Sequence, residues 1–190
     1  PGVVEADDLG TYVMKFRSAG QGVKVLVAEV VVGELARQLG LPVPAMVALE
    51  LPESLARYEP DEEVQDLLRA SVGLNLGTDF LPGAMGYDGS TPPDPATAAR
   101  VLWLDAFTAN IDRTPHNPNL VRWHGQTWCI DHGAALYFHY SWPSKGSHPE
   151  RFAAQRFDLG SHIMAGVVDP SPAAAAAAHE RLAAIVTPGL

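Results

Sequence analysis

Cysteine is almost missing from this sequence: Cys129 stands alone. One thiol forms no internal disulfide and no Cys-x-x-Cys metal site, so no oxidising compartment is indicated, and Cys129 reads as a buried thiol. Positive charge is scarce as well. Thirteen Lys and Arg against 22 Asp and Glu give a formal net charge of −9 at pH 7, which argues against a general phosphate-backbone binder, so nucleic acid is not expected as the main ligand. No apolar run is long enough for a membrane span, and the first residues lack the basic-then-apolar pattern of a signal peptide, so the cytoplasm is the expected compartment. The chain opens on Pro1 rather than Met, and the native N-terminus is expected upstream. Internal repeats are absent. What remains is an ordinary globular composition, 190 residues at 47% hydrophobic and 18% charged, enough to bury a substantial core in one domain or in two lobes around a cleft.

The densest chemistry lies in Asn110, Asp112, Arg113, His116, Asn117 and Asn119, followed by Asp131, His132 and Gly133. Upstream of it, Asp94-Pro95 is an N-cap followed by proline at the first helical position, which predicts a helix to about Ala109 that delivers this loop from its C-terminal end. Leu120 to Trp123, a turn at His124-Gly125, and Thr127 to Asp131 predict a hairpin. The loop precedes one strand and Asp131 ends its partner, so pairing brings Asp112 and Asp131 towards each other.

Earlier in the chain, Thr11 to Phe16 predicts a strand with Lys15 near its end, and Ser18 to Gly22 a loop without the Walker pattern. Val27, Val31, Leu35 and Leu39 recur at helical spacing from about Lys24, with Gly40 in the C-cap position. Glu29 lies inside that helix. It is either a wet-face acid or a buried one paired with Lys15. Leu41 to Pro44 ends the helix, and Ala45 to Glu50 reads as a second strand. Asp61 to Glu63 starts a short helix through Ser71, Gly73 to Leu81 is an extended crossing segment, and Tyr87 to Pro93 is a flexible connection. Beyond Gly133 come aromatic residues, a polar loop at Ser144 to His148, and a final helix capped by Ser171-Pro172.

Phosphoryl transfer asks for a base near the acceptor hydroxyl, oxygen ligands for Mg²⁺ and a cation on the phosphates. Asp112 suits the first, Asn117 and Asp131 the second, and Lys15 steadied by Glu29 the third. Paired histidine spacing for zinc is lacking, so His116 and His132 are expected to shape the loop or touch phosphate. Arg113 suits a neighbouring carboxylate or a phosphate. Asp105 either braces the loop from the preceding helix or is solvated, and the four tryptophans are taken as core or cleft walls.

Taken in order, Tyr12 to Phe16, Glu29 to Pro44, Asn110 to Asn117 and Ile130 to Gly133 make the sequence similar to the HipA-like kinases, relatives of protein kinases and phosphatidylinositol kinases. The resemblance implies an α+β, two-lobed protein-kinase-like fold. A small β-rich N-terminal lobe with one helix would span residues 1–86, and a mainly helical C-terminal lobe carrying a β-hairpin would span residues 87–190. It implies Asp112 as catalytic base, Asn117 and Asp131 as metal ligands, Lys15 on the nucleotide phosphates, Glu29 as its partner, and Gly77, Thr78, Asp79, Phe80 and Leu81 at the hinge near the adenine. Asn119 is the alternative to Asn117. The implied activity is an ATP- and Mg-dependent transfer of the γ-phosphate to a hydroxyl, with protein Ser or Thr as acceptor. The alternatives are a nucleotide-binding pseudokinase or regulatory module, and transfer of another nucleotide moiety. Two departures stand out. Where the family has a Gly- or Ser-rich phosphate loop before the lysine strand, this chain has only Pro1-Gly2 and Asp8 to Gly10, so either the loop lies upstream or nucleotide binding is altered. After Gly133, 57 residues remain, few for a dedicated protein-substrate platform.

Overall fold

The computed structural model describes residues 1–142, 150, 156–169 and 171–186. Among them the chain forms two antiparallel sheets and five α-helices, an α+β arrangement. The first sheet has the order β1-β2-β4-β3, from β1 (Gly2–Glu5), β2 (Thr11–Lys15), β3 (Met46–Leu51) and β4 (Gly73–Asp79). Side chains alternate across a strand. On β2, Tyr12 and Met14, with Phe16 just beyond, therefore enter a small core with Leu49 and Leu51, covered by Leu67 and Leu68. Val13 and Lys15 face the other way, into a cavity.

Three expectations change here. The segment from Gly73, expected as a crossing piece, is a central strand paired with β2 on one side and β3 on the other. β1 was not foreseen, because four residues with an exposed Val3 offer too short a pattern to read. The turn joining it to β2 is closed by Asp8, which accepts from the Gly10 amide at 2.8 Å and the Tyr12 hydroxyl at 2.7 Å. A Cβ on Gly10 would meet the Tyr12 ring at 2.6 Å, so this glycine serves the packing of Tyr12 over the turn. Finally, α2 (Glu53–Arg57) joins the two helices read in the sequence before residue 86, α1 (Val23–Gln38) and α3 (Glu62–Ala70), where the resemblance implies only one. Asp61 caps α3 by accepting from the Glu63 and Val64 amides, whereas α2 is one short turn after Pro52 with no side-chain cap to announce it.

Helix α1 has the expected span, and Gly40 takes the left-handed φ of 71° that ends it. Its buried face is another matter. Val27 and Val31 are exposed, and Ala28, Glu29, Val32, Gly33 and Ala36 are buried instead. Small residues let the helix approach closely what it packs on. That is the larger core, where Val32, Ala36, Leu39 and Leu41 meet Ala98, Val101 and Leu104 of α4 (Pro95–Phe107), with Leu120, Cys129, Met164 and Leu182 around them.

Helix α4 starts as its sequence dictates: the Asp94 carboxylate accepts from the amides of Ala96 and Thr97, both at 3.0 Å. It ends at Thr108, and Ala109 turns left-handed with φ 54° to release the loop. The second sheet, order β5-β6-β7, consists of β5 (Met85–Gly86), β6 (Leu120–Trp123) and β7 (Gln126–Cys129). His124 and Gly125 both have positive φ, 46° and 75°, the backbone of a two-residue turn that matches strand twist. β5 adds a third strand to the expected hairpin by pairing with β6. Helix α5 (Pro172–Val186) follows Ser171, whose hydroxyl accepts from the Ala174 amide at 3.2 Å. It buries Leu182 in the larger core, and its His179 accepts from the Trp103 indole N–H at 3.2 Å. The polar loop read at Ser144 to His148 lies outside the described residues.

Leu104 is fully buried at the centre of the larger core. Leu104→Ala is expected to lower unfolding free energy by about 2–5 kcal/mol, from lost transfer energy plus a cavity. Urea denaturation measures it; a loss below about 1 kcal/mol would show that α4 does not anchor the core.

Candidate active site

Three stretches far apart in sequence meet at Lys15. Its ammonium bonds Glu29 Oε1 and, at 3.0 Å, Asp131 Oδ1. Glu29 is only 3% exposed, and its second oxygen accepts from the backbone N–H of His132 at 2.9 Å. Of the two readings left open for this acid, the buried and paired one is what the structure contains. Burial pushes the Glu29 carboxyl up, against the opposing pull of Lys15 and the His132 amide. Burial is the largest influence on Asp131 too and raises it, but the charge and hydrogen bond of Lys15, with the neighbouring Glu29 and His132, together hold this carboxyl below the ordinary carboxylate value.

Two backbone features make the meeting possible. Asp131 itself adopts a left-handed conformation, φ 54°, which costs a non-glycine residue about 1 kcal/mol and re-aims its carboxylate. Gly133 has no side chain where one would be in the way: a Cβ would lie 2.6 Å from Val25 Cγ1 and 3.0 Å from Glu29 Oε1. Helix α1 can rest on this turn only because that space is empty.

The second group is on the loop after α4. Asp112 Oδ2 accepts from the side-chain amides of Asn117 at 2.8 Å and Asn119 at 3.1 Å, and the Asp112 amide donates to Asn110 Oδ1 at 3.2 Å. Reciprocal backbone bonds between Thr114 and Asn117 close the loop at 3.0 and 3.1 Å. Asn117 is exposed. Asn119 is tied into the fold through its backbone, having φ 47° and a carbonyl that accepts from Arg113 and, at 3.1 Å, from the Ile130 amide.

Beneath the loop runs a buried polar brace. The Arg113 side chain is 1% exposed and turned inward. Its Nε donates to Asp105 Oδ2 at 2.6 Å, Nη1 to the carbonyls of Asn119 and Ile130, and Nη2 to His132 Nδ1 at 3.3 Å. Asp105 is fully buried and also accepts from Asn110 Nδ2 and His162 Nε2, both at 2.9 Å. His162 Nδ1 accepts from the Met164 amide at 3.1 Å, which leaves the proton on Nε2 for Asp105. Burial raises the Asp105 carboxyl, yet Arg113 and His162 together keep it below its usual value. The Arg113 guanidinium thus holds a carboxylate rather than a phosphate, and Asp105 braces the loop. His162 was not read from the sequence. No capping, spacing or periodicity signal surrounds it, and only the folding of residues 157–163 back along the loop, with the Ile163 amide on the Arg113 carbonyl at 3.2 Å, brings it there.

Beside Lys15 opens a cavity of about 330 Å³ lined by Lys15, Glu29, Asp131, His132 and the chain from Thr78 to Leu81, with apolar walls from Val13, Val43, Met46 and Ile130. Gly77 is not among its lining residues: the space over its Cα is taken by Leu49, 2.5 Å from where a Cβ would be. The amides of Asp79 and Phe80 are already bonded, to the carbonyls of Ala45 at 2.9 Å and Thr11 at 3.0 Å. Asp112 and Asn117 do not line the cavity either. The candidate residues form two groups, Lys15 with Glu29 and Asp131, and Asp112 with Asn117 and Asn119, joined through Arg113 and the Asn119 carbonyl.

A family model described as HipA-like kinase matches residues 1–148 of the chain. No curated protein matches it, and no solved structure does.

Truncating Asp105 leaves the Arg113 guanidinium buried without its countercharge. Asp105→Ala is expected to cost about 3–5 kcal/mol in urea denaturation, and a loss under about 1 kcal/mol would mean that Arg113 is not held by this pair. A second expectation concerns pH. Burial, with Arg113 adding to it, drops the His132 imidazole to about 3. Unfolded histidine takes up a proton near pH 6.5. Between those values the unfolded chain binds a proton that the folded one does not, so stability falls as pH drops from about 6.5 towards 3, by at most about 1.4 kcal/mol per pH unit. The stability difference between wild type and His132→Asn, measured from pH 7 to pH 4, should shrink with that slope; a constant difference would contradict it.

Proposed function

Because the chain belongs to the HipA-like kinase family, we propose that it is an ATP- and Mg-dependent phosphotransferase that moves the γ-phosphoryl group to a hydroxyl, with protein Ser or Thr as the acceptor class. One observation carries this reading: a buried acid and a half-exposed acid share a single lysine at the mouth of a cavity. A solitary salt bridge needs only one acid. With both acids ionised the trio is net negative, so phosphate would come to Lys15 together with Mg²⁺, and the buried acid, fixed by a backbone amide, holds the lysine in place for it.

In this reading residues 1–86 form the nucleotide lobe and residues 87–190 the catalytic lobe. The two sheets fall on either side of this division apart from β5 (Met85–Gly86), which pairs with the second sheet, and α1 shares the larger core with α4. Lys15 holds the nucleotide phosphates, steadied by Glu29. Thr78 to Leu81 border the adenine. The Leu81 amide, without a protein partner among the described residues, is the donor left there. Asp131 and Asn117 supply hard oxygens that suit Mg²⁺: one Asp131 oxygen is on Lys15 while the side chain stays 57% exposed, and Asn117 uses its amide nitrogen on Asp112. Mg²⁺ takes one or two such protein ligands and completes its shell with phosphate and water. When bound it neutralises charge on the phosphates. Asp112 receives the proton of the attacking hydroxyl; two amides fix one of its oxygens, which orients the other. Asp105 and Arg113 keep that loop in shape.

A second reading, a pseudokinase that binds nucleotide without transfer, is favoured by the Asp8 to Gly10 turn, which closes on itself and on Tyr12. Incubating the full-length protein with γ-labelled ATP and Mg²⁺ separates the two. Labelling of the protein or of an acceptor is expected, reduced about 10²-fold or more in Asp112→Ala and abolished in Asp131→Ala, while Asp112→Ala still binds ATP. Tight binding by the wild type with no transfer to any acceptor would leave the pseudokinase.

A further inference from the structure

Helix α1 is apolar on two sides, and only one of them is covered. Six of its sixteen residues are valines, which as β-branched residues are poor helix formers. Val23, Val27, Val30 and Val31 are nevertheless 53%, 44%, 41% and 42% exposed. Across from them, Leu74 of β4 is 62% exposed. Between helix and sheet lies a groove of about 640 Å³ whose only charged lining residues are Arg17 and Glu34. A contiguous exposed apolar patch of this kind marks an interaction surface.

We propose that this groove is the interface between two copies of this chain, with α1 of each lying antiparallel to α1 of the other across a two-fold axis. Val23, Val27, Val30 and Glu34 follow one another at steps of four, three and four residues, the spacing of a seam against which a second helix packs. A two-fold interface must be complementary to itself, and the charges satisfy that condition. Arg17 lies at the end where α1 begins, and Glu34 near the end where it finishes. Antiparallel crossing sets Arg17 of each copy against Glu34 of the other, whereas parallel crossing would place like charges together. Glu34, half exposed and bonded in the single chain only to Arg37 one turn on, keeps room for a second cation. The chain carries a formal net charge of −9, so two copies repel in general, and a patch with one charge of each sign is where they can meet.

The interface does not depend on phosphoryl transfer, and a chain that transfers nothing would pair equally well. Analytical ultracentrifugation of the full chain across a wide concentration range tests it. A concentration-dependent dimer is expected. The double variant Val27→Glu, Val30→Glu, both at exposed positions, should run as a monomer with an unchanged circular dichroism spectrum. Glu34→Arg and Arg17→Glu should each weaken the dimer about tenfold or more, and the two combined should restore it. A monomer at every concentration would overturn the proposal. So would a dimer indifferent to the two glutamates, or a charge swap that fails to restore what each single change removed.

Discussion

A guanidinium cannot be buried alone, and Arg113 is buried. That requirement organises the loop after α4 and everything that packs beneath it. Its countercharge comes from Asp105 on α4, its remaining donors reach the carbonyls of Asn119 and Ile130, and its far nitrogen meets His132. Asp105 has capacity left after this pairing, which Asn110 and His162 take up. One buried charge thus draws together the end of α4, both ends of the loop, the exit of β7 and the segment after Phe157. Such a network does not guarantee stability, because two desolvated charges only offset their own cost. It does specify one arrangement, since each partner is needed to satisfy another.

From His132 the order passes to Glu29 and Lys15. The ring of this residue belongs to the Arg113 network and its backbone amide to Glu29. A displacement of the loop therefore acts on the acid that positions Lys15 through two bonds from a single residue. The backbone bears part of the burden here. Asp131 is left-handed, and Gly133 yields its side-chain space to Val25 and Glu29. The acids on either side of Lys15 differ because their surroundings differ: Glu29 is closed in by α1 and the turn, while Asp131 faces partly into solvent, where it remains available to a ligand.

Local signals were legible in the sequence and long-range ones were not. Asp94-Pro95 announces α4 and His124-Gly125 announces the hairpin, because a cap and a two-residue turn depend on neighbours in the chain alone. Lys15, Glu29, Asp112 and Asp131 stood out as residue types at telling positions. What stayed hidden depended on burial. Asp105 could be read as a brace or as a solvated acid, and only its burial decides for the brace; His162 stands out only when the fold removes it from water, and no periodicity marks it. That Leu49 of the neighbouring strand occupies the space over Gly77 is likewise set by packing and not by local sequence. β1 and β5 are too short to show a pattern at all.

Helix α1 is the most instructive, for the period that marks it as a helix is divided: Leu35 and Leu39 meet the larger core, while Val27 and Val31 lie on the outer side. An apolar stripe identifies a surface that prefers not to face water; it does not say which surface the chain itself covers. Here the inner face is chosen by size. Ala28, Gly33 and Ala36 permit the approach that lets Glu29 reach Lys15 and the His132 amide, and bulkier valines in their place would hold the helix off the turn. Two demands on one helix, close contact inside and an apolar outer surface, place Ala28, Gly33 and Ala36 beside Val32 on the buried face and Val23, Val27, Val30 and Val31 on the outer one. Among the described residues, the helix that sets the position of Glu29 therefore also carries the most exposed large apolar side chains of any element.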